Sequence, residues 1–517
     1  MKTPAFILLL NNFKISISIC VILIFSTTET VMAQPSQAKM NTWAEQQLPY
    51  AIEEFREFLS LPNNASYPDH VSQNVAWCVQ SFKKRGFTVQ KIETTQRPLL
   101  LAEKKSKKGS KTVLVYLQVD GQPVDSSKWL QESPYSPTLK TKEGDSWKAI
   151  SWDEMQKGMD DNWRVFARSA SDAKGPIIMF LSALDILNDQ KLSSNYNLKV
   201  IMDFEEELGS PNLPAAVRTN KDLLKSDMLI IFDGPMHVSN KPTLTFGARG
   251  ISTIRLEVFG PRVAQHSGHY GNYAPNPAFT LTQLLASMKD DTGHVTLPGF
   301  YDGVSLDDET LKILSQVPDD EEAIKKKIGI AEIDNVSDTY QKSIQYPSLN
   351  IRGLQSGWVD EEVRTIIPAS AIAEIDIRLV PESDAMRLIE LVRSHIEQEG
   401  FHIVEGAPTE QERSTYRKLI SFDFENSYDA FRTGYDTEVG QWLNRALTRA
   451  YGEEPIRIRI AGGSIPIAPF VTTLGIPAVS VPTVNPDNNQ HSPNENLRIG
   501  NLKDGIRTYL SILTEKL

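Results

Sequence analysis

The sequence predicts an α/β protein, with a mostly parallel sheet covered on both faces by helices and a smaller α+β unit interrupting it. Three observations predict this. Short apolar runs at Thr112–Leu117, Leu198–Met202 and Met228–Phe232 are separated by helix-length apolar segments such as Ile177–Leu187, the pattern of buried parallel strands. From about Thr243 apolar and polar residues alternate, as in Thr253–Phe259 and Ala371–Leu379, which suits a sheet with one wet face. A chain of 517 residues also exceeds what one hydrophobic core usually serves.

Taken in order, the chain opens with Lys2 and Lys14, which precede an apolar run from Ile15 to Phe25 followed by small and polar residues up to Val31-Met32-Ala33. This reads as a signal peptide cleaved after Ala33, because the run from Ile15 to Phe25 is too short to span a bilayer. It predicts an exported protein, periplasmic or secreted, with no membrane association after cleavage. Cleavage removes Lys2, Lys14 and Glu29, taking the net charge from −11 to −12. Of the two cysteines it leaves only Cys78, which excludes an intrachain disulfide. An acidic chain without a basic block is also a poor nucleic-acid binder.

Glu45–Leu59 and Val71–Arg85 read as amphipathic helices ahead of the first apolar strand. Residues 131–163, rich in Ser, Asp, Lys and Trp, read as a long surface loop. Helices at Pro277–Met288 and Ala385–Glu399 accompany the alternating strands. After about Asp423 the buried style returns, with a helix at Glu438–Tyr451 and a short strand at Ala478–Val481. The expected division is thus 34–242 and 424–517 as two parts of one larger domain, with 243–423 inserted between them.

The acidic residues carry the functional signal. Thr112–Leu117 leads to Gln118 and Asp120, Leu198–Met202 leads to Glu206 and Glu207, and Met228–Phe232 leads to Asp233. Asp172 precedes the Ile177–Leu187 segment, and His491 follows the last strand through a loop rich in Pro and Asn. Ligands of α/β sheets bind beyond the carboxyl ends of the strands, so these groups converge at one edge. Converging carboxylates are tolerated if protonated, well solvated or neutralised by a cation. An Asp/Glu/His set suits zinc or manganese, and of two adjacent glutamates one can ligate while the other takes a proton from metal-bound water. Spacing alone leaves open the alternative that these are ordinary loop residues of an acidic protein.

Several segments resemble the M20 metallopeptidases. Leu117-Gln118-Val119-Asp120 resembles the H-x-D segment of that family, and Ala167-Arg168-Ser169-Ala170-Ser171-Asp172-Ala173-Lys174-Gly175 resembles G-R-G-x-x-D-x-K-G. Glu206-Glu207-Leu208-Gly209-Ser210 matches E-E-x-G-S, and Asp233 stands where the next metal aspartate falls. Thr245–Gly250 resembles the start of the family's lid, with His266-Ser267-Gly268, Arg378-Leu379-Val380-Pro381, Gly462-Gly463-Ser464-Ile465-Pro466 and His491-Ser492-Pro493-Asn494-Glu495 following in family order. The carnosinase-like dipeptidases are the most similar branch.

The resemblance implies a catalytic domain (34–242 and 424–517) and an inserted lid that dimerises (243–423). It implies two divalent metal ions, zinc first and manganese second, bridged by Asp172. Asp233 and the Gln118 position would serve one ion, and Glu207 and His491 the other. Glu206 would be the general base, and Asp120 would orient the ligand two residues before it. His266 and Thr365 would reach into a partner subunit's site, and Arg378 and Ser464 would hold a substrate carboxylate. The implied reaction is hydrolysis of a small amide by a metal-bound hydroxide. The substrate would be a dipeptide or, alternatively, an N-acyl amino acid.

Four departures qualify this. Gln118 stands where the family has a ligating histidine, leaving three outcomes open: both ions kept with a shift towards manganese, one ion only, or a catalytically dead peptide-binding protein. Ala167 and Ser169 replace glycines, residues 131–163 form a long extra segment, and Ile460-Ala461 replaces the usual Arg-Glu ahead of Gly462. His70, His237, His294, His395 and His402 match no motif and read as structural or surface residues.

Overall fold

The computed structural model describes Met1, residues 34–107 and residues 109–517, so the expected signal peptide lies outside the described residues. Within Pro35–Leu517 an eight-stranded sheet runs in the order Thr88–Ile92, Leu99–Lys104, Asn197–Asp203, Thr112–Gln118, Met228–Ile231, Ala478–Ser480, Thr243–Thr245, Ile456–Ile458. The four strands at its centre, from Asn197–Asp203 to Ala478–Ser480, are mutually parallel. The strands Thr88–Ile92 and Leu99–Lys104, which the sequence reading did not pick out, add an antiparallel edge.

Alternation along Thr112–Gln118 shows how both faces are covered. Val113, Val115 and Leu117 join one core with the helices Gln37–Leu59, Lys174–Asp189, Glu438–Tyr451 and Ile499–Thr514. Leu114 and Tyr116 join the other with the helices Leu213–Thr219 and Ala468–Leu474. Such two-sided burial is why these strands read as unbroken apolar runs. Two of the covering helices meet at Gly505, where a Cβ would collide with Met179 Sδ.

A second, five-stranded sheet is ordered Ser348–Gln355, Ser370–Leu379, Gly250–Phe259, Leu419–Tyr428, His402–Val404. Its apolar positions pack with the helices Pro277–Ala286 and Ala385–Gln398 into a separate core. Gly250–Phe259 alternates buried and half-exposed residues, as its sequence predicts. The strand Leu419–Tyr428 runs past the boundary expected at 423 and ends beside the first sheet's acidic edge, as described below.

The long loop expected at 131–163 is a correction. It contains an antiparallel hairpin, Thr138–Glu143 with Ser146–Ala149, which pairs through Arg164–Phe166 with Asn496–Arg498. The polar composition that suggested a loop reflects an exposed hairpin, since Ser146–Ala149 carries no buried residue. No described helix is long and apolar enough to cross a membrane.

Trp442 is fully buried, edge-on to Tyr196, and donates its indole N–H to the Glu515 carbonyl at 3.3 Å. Trp442→Ala is expected to lower unfolding stability by about 3–5 kcal/mol with an unchanged denaturant slope, read by urea titration.

Candidate active site

The parallel strands place their carboxyl ends side by side, in the order Asp203, Gln118, Ile231, Ser480. Asp120, Glu206, Glu207 and Asp233 follow directly from three of them. Asp172 enters from the loop before the helix Lys174–Asp189, and His491 from the loop after the fourth strand.

His491 Nε2 lies 2.9 Å from Asp172 Oδ2 and 3.4 Å from Glu207 Oε2. Gln118 donates its amide Nε2 to Asp172 Oδ1 at 2.8 Å and more weakly to Glu207 Oε1 at 3.5 Å. Gln122 donates to Glu207 Oε2 at 2.7 Å. Asp172, Glu207 and His491 each offer one donor atom within 4.8 Å of the others, a set that fits a divalent transition metal.

Asp120 corrects an expectation. Its oxygens accept the backbone N–H groups of Glu206 and Glu207, at 2.9 and 3.0 Å, and so grip the turn carrying both glutamates instead of contacting Gln118. A buried carboxylate facing the first turn of a short helix meets unsatisfied N–H donors there. Beneath it Asp203, wholly buried, accepts from Tyr116, Ser210 and the Glu205 backbone.

The loop carrying Asp172 is built around Glu495, which has no exposed surface. One Glu495 oxygen accepts from Arg168 Nη1 and the Ser169 N–H, and the other from the Ser171 N–H and hydroxyl and the Asp172 N–H, at 2.7 to 2.9 Å. Ser169 takes φ 61, the left-handed region that glycine enters freely, so the serine at this position preserves the turn at some conformational cost. Its Oγ accepts from Asn63 at 2.9 Å and leaves no room for a side chain at Gly121.

Among the other expected residues, Arg378 Nη1 donates to Ser464 Oγ at 2.9 Å, bringing that pair together. His266 and Thr365 are also neighbours, where the strand Gln265–His266 pairs with Ile366–Ile367 and Ser267 donates to the Thr365 carbonyl. Both are exposed, and among the described residues neither is hydrogen-bonded to the acidic cluster. His237 and His395 are structural, bonded to Asp319 and Ser287.

Sequence reasoning assigned no role to Glu495, Gln122 or Tyr428. Glu495 lay inside a quoted motif, and an acid so close to His491 was the available signal. Tyr428 had none: it arrives from the second sheet, and its hydroxyl abuts Gly209, which sits at φ 84. Burial, and then the charge of Glu206, pushes the Tyr428 phenol up to about 12.

Burial and mutual repulsion govern the electrostatics. Burial, then Asp172, pushes Glu207 up to about 8 and Asp233 up to about 7. Glu206 is raised well above the usual carboxylate range by burial and by Asp233, Glu207, Asp172 and Asp120. The hydrogen bond to Asp172 raises His491 to about 9.

A parallel-sheet edge that gathers Asp, Glu and His donors around one point, with a second glutamate alongside, defines a metal-dependent hydrolase. The chain belongs to peptidase family M20/M25/M40, whose sequence profile matches residues 119–515, and is an M20-type, dipeptidase-like hydrolase. It is 27% identical over 425 residues to the Cys-Gly metallodipeptidase of Schizosaccharomyces pombe, covering 81% of this chain and 82% of that one. It is 27% identical over 424 residues to the Beta-Ala-His dipeptidase of Homo sapiens, covering 81% and 77%. The M20 family metallo-carboxypeptidase of Sulfolobus solfataricus superimposes with a TM-score of 0.75 at 26% identity, over 90% of this chain and 98% of that one. Human carnosine dipeptidase 1 shares the fold, with a TM-score of 0.73 at 24% identity over 93% and 99%.

In metal-stripped protein Glu207 and Asp233 keep their protons to about 8 and about 7, whereas an unfolded chain releases them near roughly 4. The folded state then binds more protons between those limits, so stability falls as pH rises from about 4 to about 8. His491 acts in the same direction, its contribution being lost as pH rises through about 9. The melting temperature of metal-stripped protein should therefore fall from pH 5 to pH 9, and added divalent metal, which favours deprotonated ligands, should offset the loss above pH 7. A rise over that range would contradict this account.

Proposed function

We propose that this chain is an exported, metal-dependent exo-acting amidohydrolase that cleaves dipeptides or related small amides bearing a free carboxylate. The observation that carries the reading is the Asp172–Glu207–His491 cluster, with Glu206 held next to it by the Asp120 clamp. Dipeptidase names on the relatives support the substrate class.

In this reading Asp172, Glu207 and His491 hold a divalent ion, zinc first and manganese second, with Asp233 and Gln118 beside it. When bound, such an ion polarises a carbonyl and acidifies a ligated water. Glu206 takes up and returns the proton: a carboxyl raised above its usual range by burial is matched to that task near neutral pH. Arg378, with its planar fork, and Ser464 receive the substrate carboxylate. His266 and Thr365 serve the site of a second copy in a homodimer formed through the lid. Support for that comes from their exposure, with Val263, Tyr273 and Val363 exposed around them. Export rests on the apolar run Ile15–Phe25, preceded by Lys2 and Lys14 and followed by small and polar residues up to Ala33.

A second reading, N-acyl-amino-acid deacylase, is favoured by one observation. Ile460 is fully buried, and Ala461 carries no charge ahead of Gly462 to meet a substrate ammonium. Matched dipeptides and N-acetyl amino acids separate the two: the peptidase requires the amino group and the deacylase does not.

Glu206→Gln should lower kcat by about 10²–10⁴-fold with KM and melting temperature unchanged. Normal turnover by that variant would remove the proposed base, and absence of turnover by the unaltered protein on both panels would favour a peptide-binding protein. Arg378→Met should raise KM by about 10–100-fold for substrates with a free carboxylate, and much less for their amides.

A further inference from the structure

The groups at the sheet edge divide unevenly between two possible cation positions. Asp172, Glu207 and His491 converge, and they are the one such group among the described His, Cys, Asp and Glu side chains. A second ion would draw on the other oxygen of Asp172, on Asp233, and on a donor from Gln118. The parallel register pairs Tyr116 with Ile231, so two residues further along Gln118 comes abreast of Asp233.

Gln118 presents the wrong atom for that purpose. Its Nε2 faces Asp172 Oδ1 at 2.8 Å and Glu207 Oε1 at 3.5 Å, and a proton-bearing amide nitrogen offers a cation no lone pair. Those N–H groups instead offset part of the carboxylate charge that an ion would otherwise neutralise. Turning the amide round would set Oε1 against a carboxylate oxygen with no proton between them. The carbonyl oxygen would then be a hard donor, better suited to magnesium, calcium or manganese than to zinc. The side chain is 1% exposed, and its Oε1 is buried without a partner. One end of this buried amide is therefore stranded in either orientation, and what reversal adds is the repulsion between Oε1 and the Asp172 carboxylate in place of the Nε2–H hydrogen bond.

We infer that each chain retains one divalent transition-metal ion, held by Asp172, Glu207 and His491, and that the Gln118 amide N–H stands in for a second. This rests on the metal-dependent reading above and fixes its stoichiometry. It separates the chain from one of its structural neighbours, a Bacillus subtilis M20 protein described as a dinuclear metal-binding peptidase.

The test is elemental analysis of the full-length folded protein after loading with excess zinc, and separately manganese, followed by gel filtration. One ion per chain is expected for the unaltered protein, and two for Gln118→His, which supplies an imidazole donor. Two ions in the unaltered protein would overturn the inference while leaving the metal-dependent reading intact. None would overturn both. A Gln118→His variant that folds, by circular dichroism, yet stays at one ion would show that Gln118 does not set the limit. Cobalt titration of the unaltered protein needs no variant: its visible absorption should saturate at one equivalent, and a break at two would count against the proposal.

Discussion

Crowding of negative charge at one edge of a sheet is the constraint on which the rest of the structure depends. Parallel strands deliver Asp120, Glu206, Glu207 and Asp233 to neighbouring positions, and a flanking loop adds Asp172. Burial raises the cost of each charge, and each charge raises the cost of its neighbours. The chain answers in layers. Backbone N–H groups satisfy Asp120, hydroxyls satisfy Asp203, Arg168 and four further donors satisfy Glu495, and Gln118 and His491 lean on Asp172. What these leave uncompensated is the charge that a cation would meet.

The lower layers are rigid for the same reason that the upper one is reactive. Glu495 receives donors from Arg168 and from the backbone N–H groups of Ser169, Ser171 and Asp172, so that loop cannot shift without exposing several buried partners at once. Arg164 extends the anchorage, bonding both Asp487 and Asn496 on the segment that carries His491. The hairpin at 138–149 stacks onto this region through Arg164–Phe166. An excursion that reads as mere surface thus braces the loop on which the imidazole sits.

Much of this was legible in the sequence. Apolar runs ending in acids gave the sheet, its direction and the convergence of Asp172, Glu207 and His491, because parallel burial and strand-end placement both leave local marks. The motifs also paired Arg378 with Ser464. The antiparallel edge strands were missed because Leu99–Lys104 ends in charge and Thr88–Ile92 is mostly exposed and carries no apolar run. Asp120's partners were misjudged because a hydrogen bond to backbone N–H groups eighty-odd residues away leaves no trace in side-chain identity. Tyr428 was invisible, since its approach to Gly209 is set by the packing of one sheet against another.

The order in which the chain supplies its site has a further meaning. Gln118, Asp172, Glu207 and Asp233 lie in the first half of the sequence, while His491 and Glu495 lie within its last thirty residues. Between them the whole five-stranded sheet must be made and set aside. During synthesis, therefore, the acids are present long before the imidazole that completes their cluster and the carboxylate that fixes the Asp172 loop. Until the last segment is made, Asp172 and Glu207 lack the imidazole that contacts both of them. Truncation from the carboxyl end by a few dozen residues removes His491 and Glu495 together with the helix Ile499–Thr514 that covers one face of the sheet.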